Sequence, residues 1–279
     1  MARRRIAEKP RSRLAVWARR LAVFALPVAA LAVVFERTGM FEIFPVLATF
    51  GASLVLALLA ILLALAALAS IWVTGRSGAG HAMLALVLGL LLLAYPSYLG
   101  LKGLRLPEIH DVTTDPYDPP RFEAVARLRT REANPVAYGG LSIYQLQRIA
   151  YPDVEPLEVN ATPQQAYDAA LAVVTKRKWR IVDARAPQPN RREGRIEAIA
   201  LSPIMGFRDD VVIRVRISGG GSRIDIRSAS RYGWHDFGTN ASRVTSLLEA
   251  IDEATSPERT ERAMKKTIKP ANTPQPGRR

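Results

Sequence analysis

Residues 46–75 decide the first half of the fold, and they read VLATFGASLVLALLAILLALAALASIWVTG. The run contains no charged residue and is rich in Leu and Ala. As a helix rising about 1.5 Å per residue, it is longer than the roughly 30 Å hydrocarbon core of a bilayer requires. We therefore predict a transmembrane helix over about 46–74.

Two further apolar runs flank this one. Residues 78–101 lack Asp, Glu, Lys and Arg and carry Tyr95 and Tyr98 near their end, as in an interfacial aromatic belt, which predicts a helix over about 79–101. Residues 21–35 are shorter and reach spanning length only if the preceding cationic side chains snorkel to the interface. We predict a helix over about 17–35, with a helix lying on the membrane surface as the alternative.

Basic residues before the first apolar run predict the orientation of the three helices. Short cytoplasmic flanks are rich in Lys and Arg, so residues 1–16 are expected in the cytoplasm. Three crossings then deliver residue 102 onward to the periplasm of a bacterium, but if the first run does not span, this part lies in the cytoplasm. The helices carry no intramembrane acid, base or His and are typical of an anchor. The flanking residues are Arg3, Arg4, Arg5, Lys9, Arg11, Arg13, Arg19 and Arg20.

Net charge and cysteine content exclude several classes of protein. The chain of 279 residues carries a net charge of +14, but most of it lies in residues 1–34 and 255–279. A folded basic groove is therefore not indicated, and we expect no nucleic-acid partner. The absence of cysteine excludes a disulfide scaffold, a thiolate zinc site and cysteine catalysis.

The remaining chain is divided by its composition into three parts. Residues 102–160 are rich in proline, so we expect an extended, irregular segment that wraps the domain and has at most a short helix. Residues 161–254 are expected to form an α+β domain. Residues 255–279 are polar, basic and rich in proline, which is typical of a disordered tail.

The predicted domain has the order αββββα. Thr162, Pro163 and Gln165 mark a helix start, and residues 239–254 have the apolar spacing of a second helix, with Thr239 or Asn240 available as its cap. Four strands between the two helices alternate apolar and charged residues, which predicts a small two-layer α+β domain with two helices on one face of an antiparallel sheet. The strands are expected at 179–184, 195–201, 210–217 and 223–228.

The densest group of polar residues lies at 227–238, between the last strand and the last helix. Arg227 and Arg231 have the guanidinium forks that bind phosphate or carboxylate, so one interpretation is a site for an anionic ligand. The other is a structural ion network in which these arginines pair with Asp209, Asp210 and Asp236. The ligand hypothesis comprises Arg227, Ser228, Ser230, Arg231, Asp236, Asn240 and Arg243.

A metal site is a weaker hypothesis. Asp111, Asp115, His235 and Asp236 are metal-ligand types, but no spacing brings the two groups together. Surface and capping roles explain these residues better than a metal site does, so we expect no metal and no cofactor. Ser228 and Ser230 near His235 lack the Gly-x-Ser-x-Gly elbow of a serine hydrolase.

Several short motifs resemble the domain family of unknown function numbered 1499, found in bacterial and plastid proteins. The resemblance covers about 105–254, and His110 departs from the Asn that this family prefers. It implies a known type of module and no particular chemistry. The motifs are DVTTD at 111–115, PPRF at 119–122, YP at 151–152, IEA at 196–198, DDV at 209–211, RSASR at 227–231, DFG at 236–238, Asn240 and Arg243.

These patterns together predict an integral protein of the bacterial inner membrane that presents a periplasmic α+β domain. The domain is expected to bind an anionic envelope ligand or a membrane protein partner without catalysing a reaction. A metal-assisted hydrolase of the cell envelope and a structural subunit of a membrane complex are the alternatives.

Overall fold

The computed structural model describes residues 9–190 and 193–256. Residues 1–8, with three of the predicted cytoplasmic arginines, and residues 257–279, with nearly all of the predicted disordered tail, lie outside the described residues. The chain forms two compact units. The first runs to Leu106 and includes Ser202–Phe207, and the second comprises Pro107–Leu201 and the chain from Arg208 onward.

Three apolar helices form the first unit: α1 (Arg13–Thr38), α2 (Ile43–Thr74) and α3 (Ala79–Gly103). Each is long and apolar enough to cross a membrane by length and composition. Helix α1 has 26 residues, or about 39 Å, because residues on both sides of its short apolar run continue the helix. The Ser12 side chain caps its start and Gly39, in the left-handed conformation, ends it.

Small side chains bring the three helices together. Helix α1 buries alanines at intervals of three and four residues, and α2 and α3 meet it with alanines of their own. A Cβ atom at Gly89 of α3 would lie 2.7 Å from Ile61 Cγ1 of α2. Small residues allow this close approach of helix backbones, while the larger apolar side chains point outward. The buried alanines of this cluster are Ala15, Ala18, Ala22, Ala60, Ala64, Ala67, Ala82 and Ala85.

The segment before α1 pairs with the loop between α2 and α3. The Ser12 N–H donates to the Ser77 carbonyl oxygen at 2.9 Å, and the Ser77 N–H donates to the Pro10 carbonyl oxygen at 3.2 Å. The start of α1 and the loop that contains Arg76 therefore lie at the same end of the helical unit.

The second unit contains an antiparallel sheet of six strands in the order β1-β6-β5-β4-β3, with β2 also paired to β6. The prediction of four strands was incomplete, because β1 and β2 lie in the proline-rich segment and are too short to show alternation. Both pair with the outer edge of β6. The strands are β1 (Asp111–Thr113), β2 (Leu157–Val159), β3 (Arg180–Arg185), β4 (Glu193–Leu201), β5 (Arg208–Ser218) and β6 (Gly221–Ser230).

Helices α5 (Pro163–Lys176) and α6 (Thr239–Thr255) cover one face of the sheet, and helix α4 (Leu141–Ala150) precedes β2. The predicted capping box of Thr162 and Gln165 is present at the start of α5. Alternate residues of β5 and β6 pack under α5 and α6 in the main core. They are Val211, Ile213, Val215, Ile224 and Ile226.

The charged face of the sheet is buried as well. Phe122 and Val125, from a segment that includes the 3₁₀ helix Val125–Leu128, form a second core with Ile199 and Val212. Residues 116–140, within the segment predicted to be extended and to wrap the domain, therefore form a cover over this face of the sheet. It encloses Glu197, Arg214, Asp225, Arg227 and Arg231, each at most 5% exposed.

Candidate functional site

The cover segment is attached to the sheet through Glu197 of β4. The carboxylate of Glu197 accepts hydrogen bonds from the backbone N–H groups of Glu123, Ala124 and Val125, at 3.0, 2.9 and 2.9 Å. A Glu on a strand thus replaces the usual capping side chain for the first turn of the 3₁₀ helix. This contact places Phe122, one residue earlier, over the sheet.

Asp210 of β5 joins two buried arginines beneath the cover. Its carboxylate accepts from Arg129 Nε at 2.7 Å and from Arg231 Nε and Nη2 at 2.9 and 2.8 Å. Both guanidinium groups are nearly inaccessible to solvent. Arg129 Nη2 is buried and has no hydrogen-bond acceptor among residues 9–190 and 193–256.

Arg227 of β6 lies close to two aromatic rings of the cover. Its Nε and Nη2 donate to the carboxylate of Asp111, at 2.9 and 2.6 Å. The Cζ atom lies 4.5 Å from the ring centroid of Phe122 and 5.4 Å from that of Tyr138. Its Nη1 donates one hydrogen bond, at 3.3 Å, to the Pro120 carbonyl oxygen, and residues 9–190 and 193–256 provide no second acceptor for this atom.

The charged groups under the cover are matched in number. The guanidinium groups of Arg129, Arg227 and Arg231 share it with the carboxylates of Asp111, Asp210 and Glu197. Burial lowers the pKa of nearby His110 from 6.5, so this imidazole is mostly neutral at pH 7. The three guanidinium groups and the three carboxylates therefore balance one another.

A groove of about 560 Å³ opens in the cover above Arg227. Tyr138 lines it, and its hydroxyl oxygen is buried with no hydrogen-bond partner in the described chain. Burial, reinforced by the charge of Asp111, raises the pKa of Tyr138, so the phenol stays protonated and can donate. The lining also includes Pro116, Tyr117, Asp118, Pro119, Arg121, Phe122, Val136, Ala137 and Gly140.

A second charged cluster lies beside the groove and is balanced. The three carboxylates of Asp115, Asp118 and Asp225 pair with three arginines of β5 and β6. Although burial opposes the shift, nearby Arg214 and Arg216 lower the pKa of Asp118. With charges matched, this cluster holds the turn at 115–118 against the sheet. The arginines are Arg214, Arg216 and Arg223.

Comparison with known proteins bears on the module that carries this site. Residues 111–251, half of the chain, match the family model described as "Protein of unknown function (DUF1499)". The chain belongs to the DUF1499 family. The resemblance predicted from the short motifs is thereby confirmed.

Two other comparisons add no function to the DUF1499 assignment. The comparison with curated proteins gives no match. Among solved structures, the crystal structure of CalU16 from Micromonospora echinospora is 14% identical over 39% of this chain and 79% of that chain, with a TM-score of 0.24. At that TM-score the likeness carries no argument about fold or activity.

The predicted ligand residues of the DUF1499 domain lie in two places. Arg227 and Arg231 lie under the cover, as described, whereas the others form a network between β6 and α6. The Ser228 hydroxyl donates to Asn240 Oδ1. Arg243 Nη1 donates to the Ser228 hydroxyl oxygen and to Asn240 Oδ1, and Arg243 Nη2 donates to the Asp209 carboxylate. Asn240 Nδ2 donates to the Ser230 hydroxyl. Their hydrogen bonds with one another fit a structural role.

Asp236 provides the cap that was assigned to Thr239 or Asn240. Helix α6 has Gly238 at its N-cap, without a side-chain cap bond. The Asp236 carboxylate instead accepts from the N–H groups of Gly238 and Asn240, each at 2.8 Å. Burial raises the pKa of Asp236 despite these two bonds. In the structural ion network, Asp210 pairs with Arg231 as predicted, but Arg227 pairs with Asp111, outside the predicted set.

The metal-ligand types do not converge in the DUF1499 domain. Asp111 pairs with Arg227, Asp115 pairs with arginines, and His235 Nδ1 accepts from the Phe237 N–H at 2.8 Å. In the part of the chain that the structure describes, no three His, Cys, Asp or Glu residues are placed to hold a metal ion.

Sequence reasoning missed the aromatic half of the site. Phe122 was noted only as part of a family motif, and Tyr138 and Arg129 were not singled out. The available signal was the pair of prolines before Phe122 and the cluster of aromatic and basic residues in a segment without periodicity.

Proposed function

We propose that this protein is an integral protein of the bacterial inner membrane, with a cytoplasmic N-terminus and a periplasmic DUF1499 domain that binds a ligand without catalysing a reaction. Three helices of spanning length support the membrane assignment. The orientation is supported by the start of α1 and the Arg76 loop, which lie at one end of the helical unit. Basic residues at that end favour the cytoplasmic side.

Cysteine labelling tests the orientation, because the chain has no cysteine of its own. Ser142→Cys, at an exposed position of α4, should react with a membrane-impermeant maleimide in intact spheroplasts. Ala79→Cys, at the exposed start of α3, should react only after lysis. The reverse pattern would place the domain in the cytoplasm.

One observation carries the ligand-binding proposal: the groove beside the buried Arg227 contains a buried phenol that has no hydrogen-bond partner among the described residues. A buried charge or hydroxyl without a partner is costly, so natural proteins seldom keep one without a use. A ligand group that accepts from the Tyr138 hydroxyl removes this cost. A volume of about 560 Å³ suits a small organic molecule.

Filling the groove tests its use. Ala137 is exposed and lines the groove, so Ala137→Trp should block it without touching a buried charge. Native mass spectrometry of the detergent-purified full chain should detect a small molecule bound to the wild-type protein but not to Ala137→Trp.

Gln145→Trp is the matched control, because it adds the same ring at an exposed position of α4 outside the groove lining. This variant should retain the bound molecule. If Ala137→Trp also retains it, the ligand lies elsewhere.

A further inference from the structure

We infer that the groove above Arg227 binds a neutral carbohydrate, with one sugar ring stacked on the ring of Tyr117. This inference rests on the proposed function and narrows the ligand to one chemical class. Three features of the lining carry it: an exposed aromatic ring, a rigid turn that holds this ring, and charged side chains of both signs.

Tyr117 presents an aromatic ring to solvent at the groove. It lines the groove and is 81% exposed, whereas tyrosine in folded domains is usually buried in part. Its ring centroid lies 6.5 Å from that of Tyr144 in α4, and the two ring planes are inclined at 57°, so the rings do not stack. The Tyr117 ring is thus accessible to a flat apolar surface of a ligand.

The turn that carries Tyr117 is rigid. Pro116 and Pro119 restrict the backbone on either side of it. The Asp115 carboxylate accepts from the backbone N–H groups of Tyr117 and Asp118, at 3.2 and 3.0 Å, and is itself paired with arginines of the sheet. The exposed ring is therefore held in place before a ligand arrives, and such preorganisation lowers the entropic cost of binding.

Charged side chains of both signs line the same groove. The Asp118 side chain is 60% exposed, and its ion pairs use Oδ2, which leaves Oδ1 as an acceptor. Arg121 is exposed, and the charge of Arg227 is matched by Asp111. An anion and a cation would each meet a like charge in this lining. A neutral hydroxyl group instead donates to a carboxylate and accepts from a guanidinium group.

A sugar ring combines the two properties that this lining favours. The axial C–H groups of a pyranose form a flat apolar face, and its neutral hydroxyl groups lie around the rim. A purely apolar ligand would remove water from Asp118 and Arg121 without providing hydrogen bonds in return, which is costly. The groove volume of about 560 Å³ has room for a disaccharide.

Ligand-observed NMR titration of the full chain tests this class. The protein is purified in lauryldimethylamine oxide, because detergents with sugar head groups would compete for the groove. The probes are cellobiose, N,N′-diacetylchitobiose and maltose, with benzoate as a charged aromatic comparison. We expect at least one disaccharide to bind with a dissociation constant below about 5 mM, and benzoate to bind at least about tenfold more weakly.

Tyr117→Ala should weaken disaccharide binding at least about tenfold, because it removes the stacking surface. Tyr117→Phe keeps the ring and should bind within about twofold of the wild-type protein. Trp234→Ala is the matched control, since it removes a ring that is 82% exposed and lies outside the groove lining. This control variant should bind the disaccharide as the wild-type protein does.

The outcomes separate this inference from the proposed function. If none of the three disaccharides saturates up to about 50 mM, or if benzoate binds as tightly as they do, the carbohydrate class is wrong. A molecule that co-purifies with the wild-type protein but not with Ala137→Trp would still leave the groove as a binding site. Unchanged disaccharide binding by Tyr117→Ala overturns the stacking on this ring, and unchanged binding by Ala137→Trp overturns the groove itself.

Discussion

Asp210→Ala is expected to lower the free energy of unfolding of the DUF1499 domain by about 3–5 kcal/mol. The side chain is fully buried and accepts charge-assisted hydrogen bonds from Arg129 and Arg231. Its removal leaves two buried guanidinium groups without their carboxylate. Such a loss is a large part of the stability of a domain of this size. Urea denaturation followed by Trp179 fluorescence measures it, with the other tryptophans replaced by Phe.

Two further variants separate charge from packing. Asp252→Ala removes an exposed carboxylate from α6 and should change the free energy of unfolding by no more than about 0.5 kcal/mol. Replacing Arg129 and Arg231 by Met in the Asp210→Ala background removes the stranded charges and should recover part of the loss. A loss below about 1 kcal/mol for Asp210→Ala would contradict the assignment of these charges as a buried, coupled group.

Glu197→Ala is expected to release the cover from the sheet at a cost of about 2–4 kcal/mol. Three backbone N–H groups lose their shared acceptor at once. Amide hydrogen exchange over residues 122–128 should become much faster, while exchange in α5 changes little. Glu197→Gln keeps one acceptor oxygen. Its free energy of unfolding and its amide exchange rates should therefore lie between those of the wild-type protein and of Glu197→Ala.

Glu193→Ala is the control for this experiment. Glu193 lies on the same strand and also contacts Arg195, but its side chain is 36% exposed. Glu193→Ala should lower the free energy of unfolding by less than about 1 kcal/mol. Unchanged exchange at residues 123–125 in Glu197→Ala would show that another group holds the cover.

The sequence predicts well which residues share a face of the sheet, but it does not predict which segment covers the charged face. Alternation in β5 separates Val211 and Ile213 from Arg214, and the core follows this pattern. The segment that covers the charged face has no period, because it is irregular and contains a single 3₁₀ turn. Local patterns therefore gave no indication that Arg227 and Asp111, 116 residues apart, form a buried pair.

The same reasoning explains the outcome for the candidate site. Arginine and aspartate composition correctly indicated an ion network at Asp210 and Arg231. Which carboxylate each arginine meets depends on tertiary placement, which composition does not specify. The groove requires Phe122 and Tyr138 to lie close to Arg227, and that arrangement exists only once the cover is in place.

The pairing of β1 with β6 sets the order in which the domain can form during synthesis. The first strand completes the edge of the last one, so the ribosome must release residues near 230 before β1 has a partner. Closing so long a loop is slow compared with forming the hairpins β4–β5 and β5–β6. Until β1 pairs with β6, the arginines of β6 remain hydrated and the proline-rich segment remains unfolded. Assembly of the groove is therefore a late event, and a chain truncated before β6 has no groove at all.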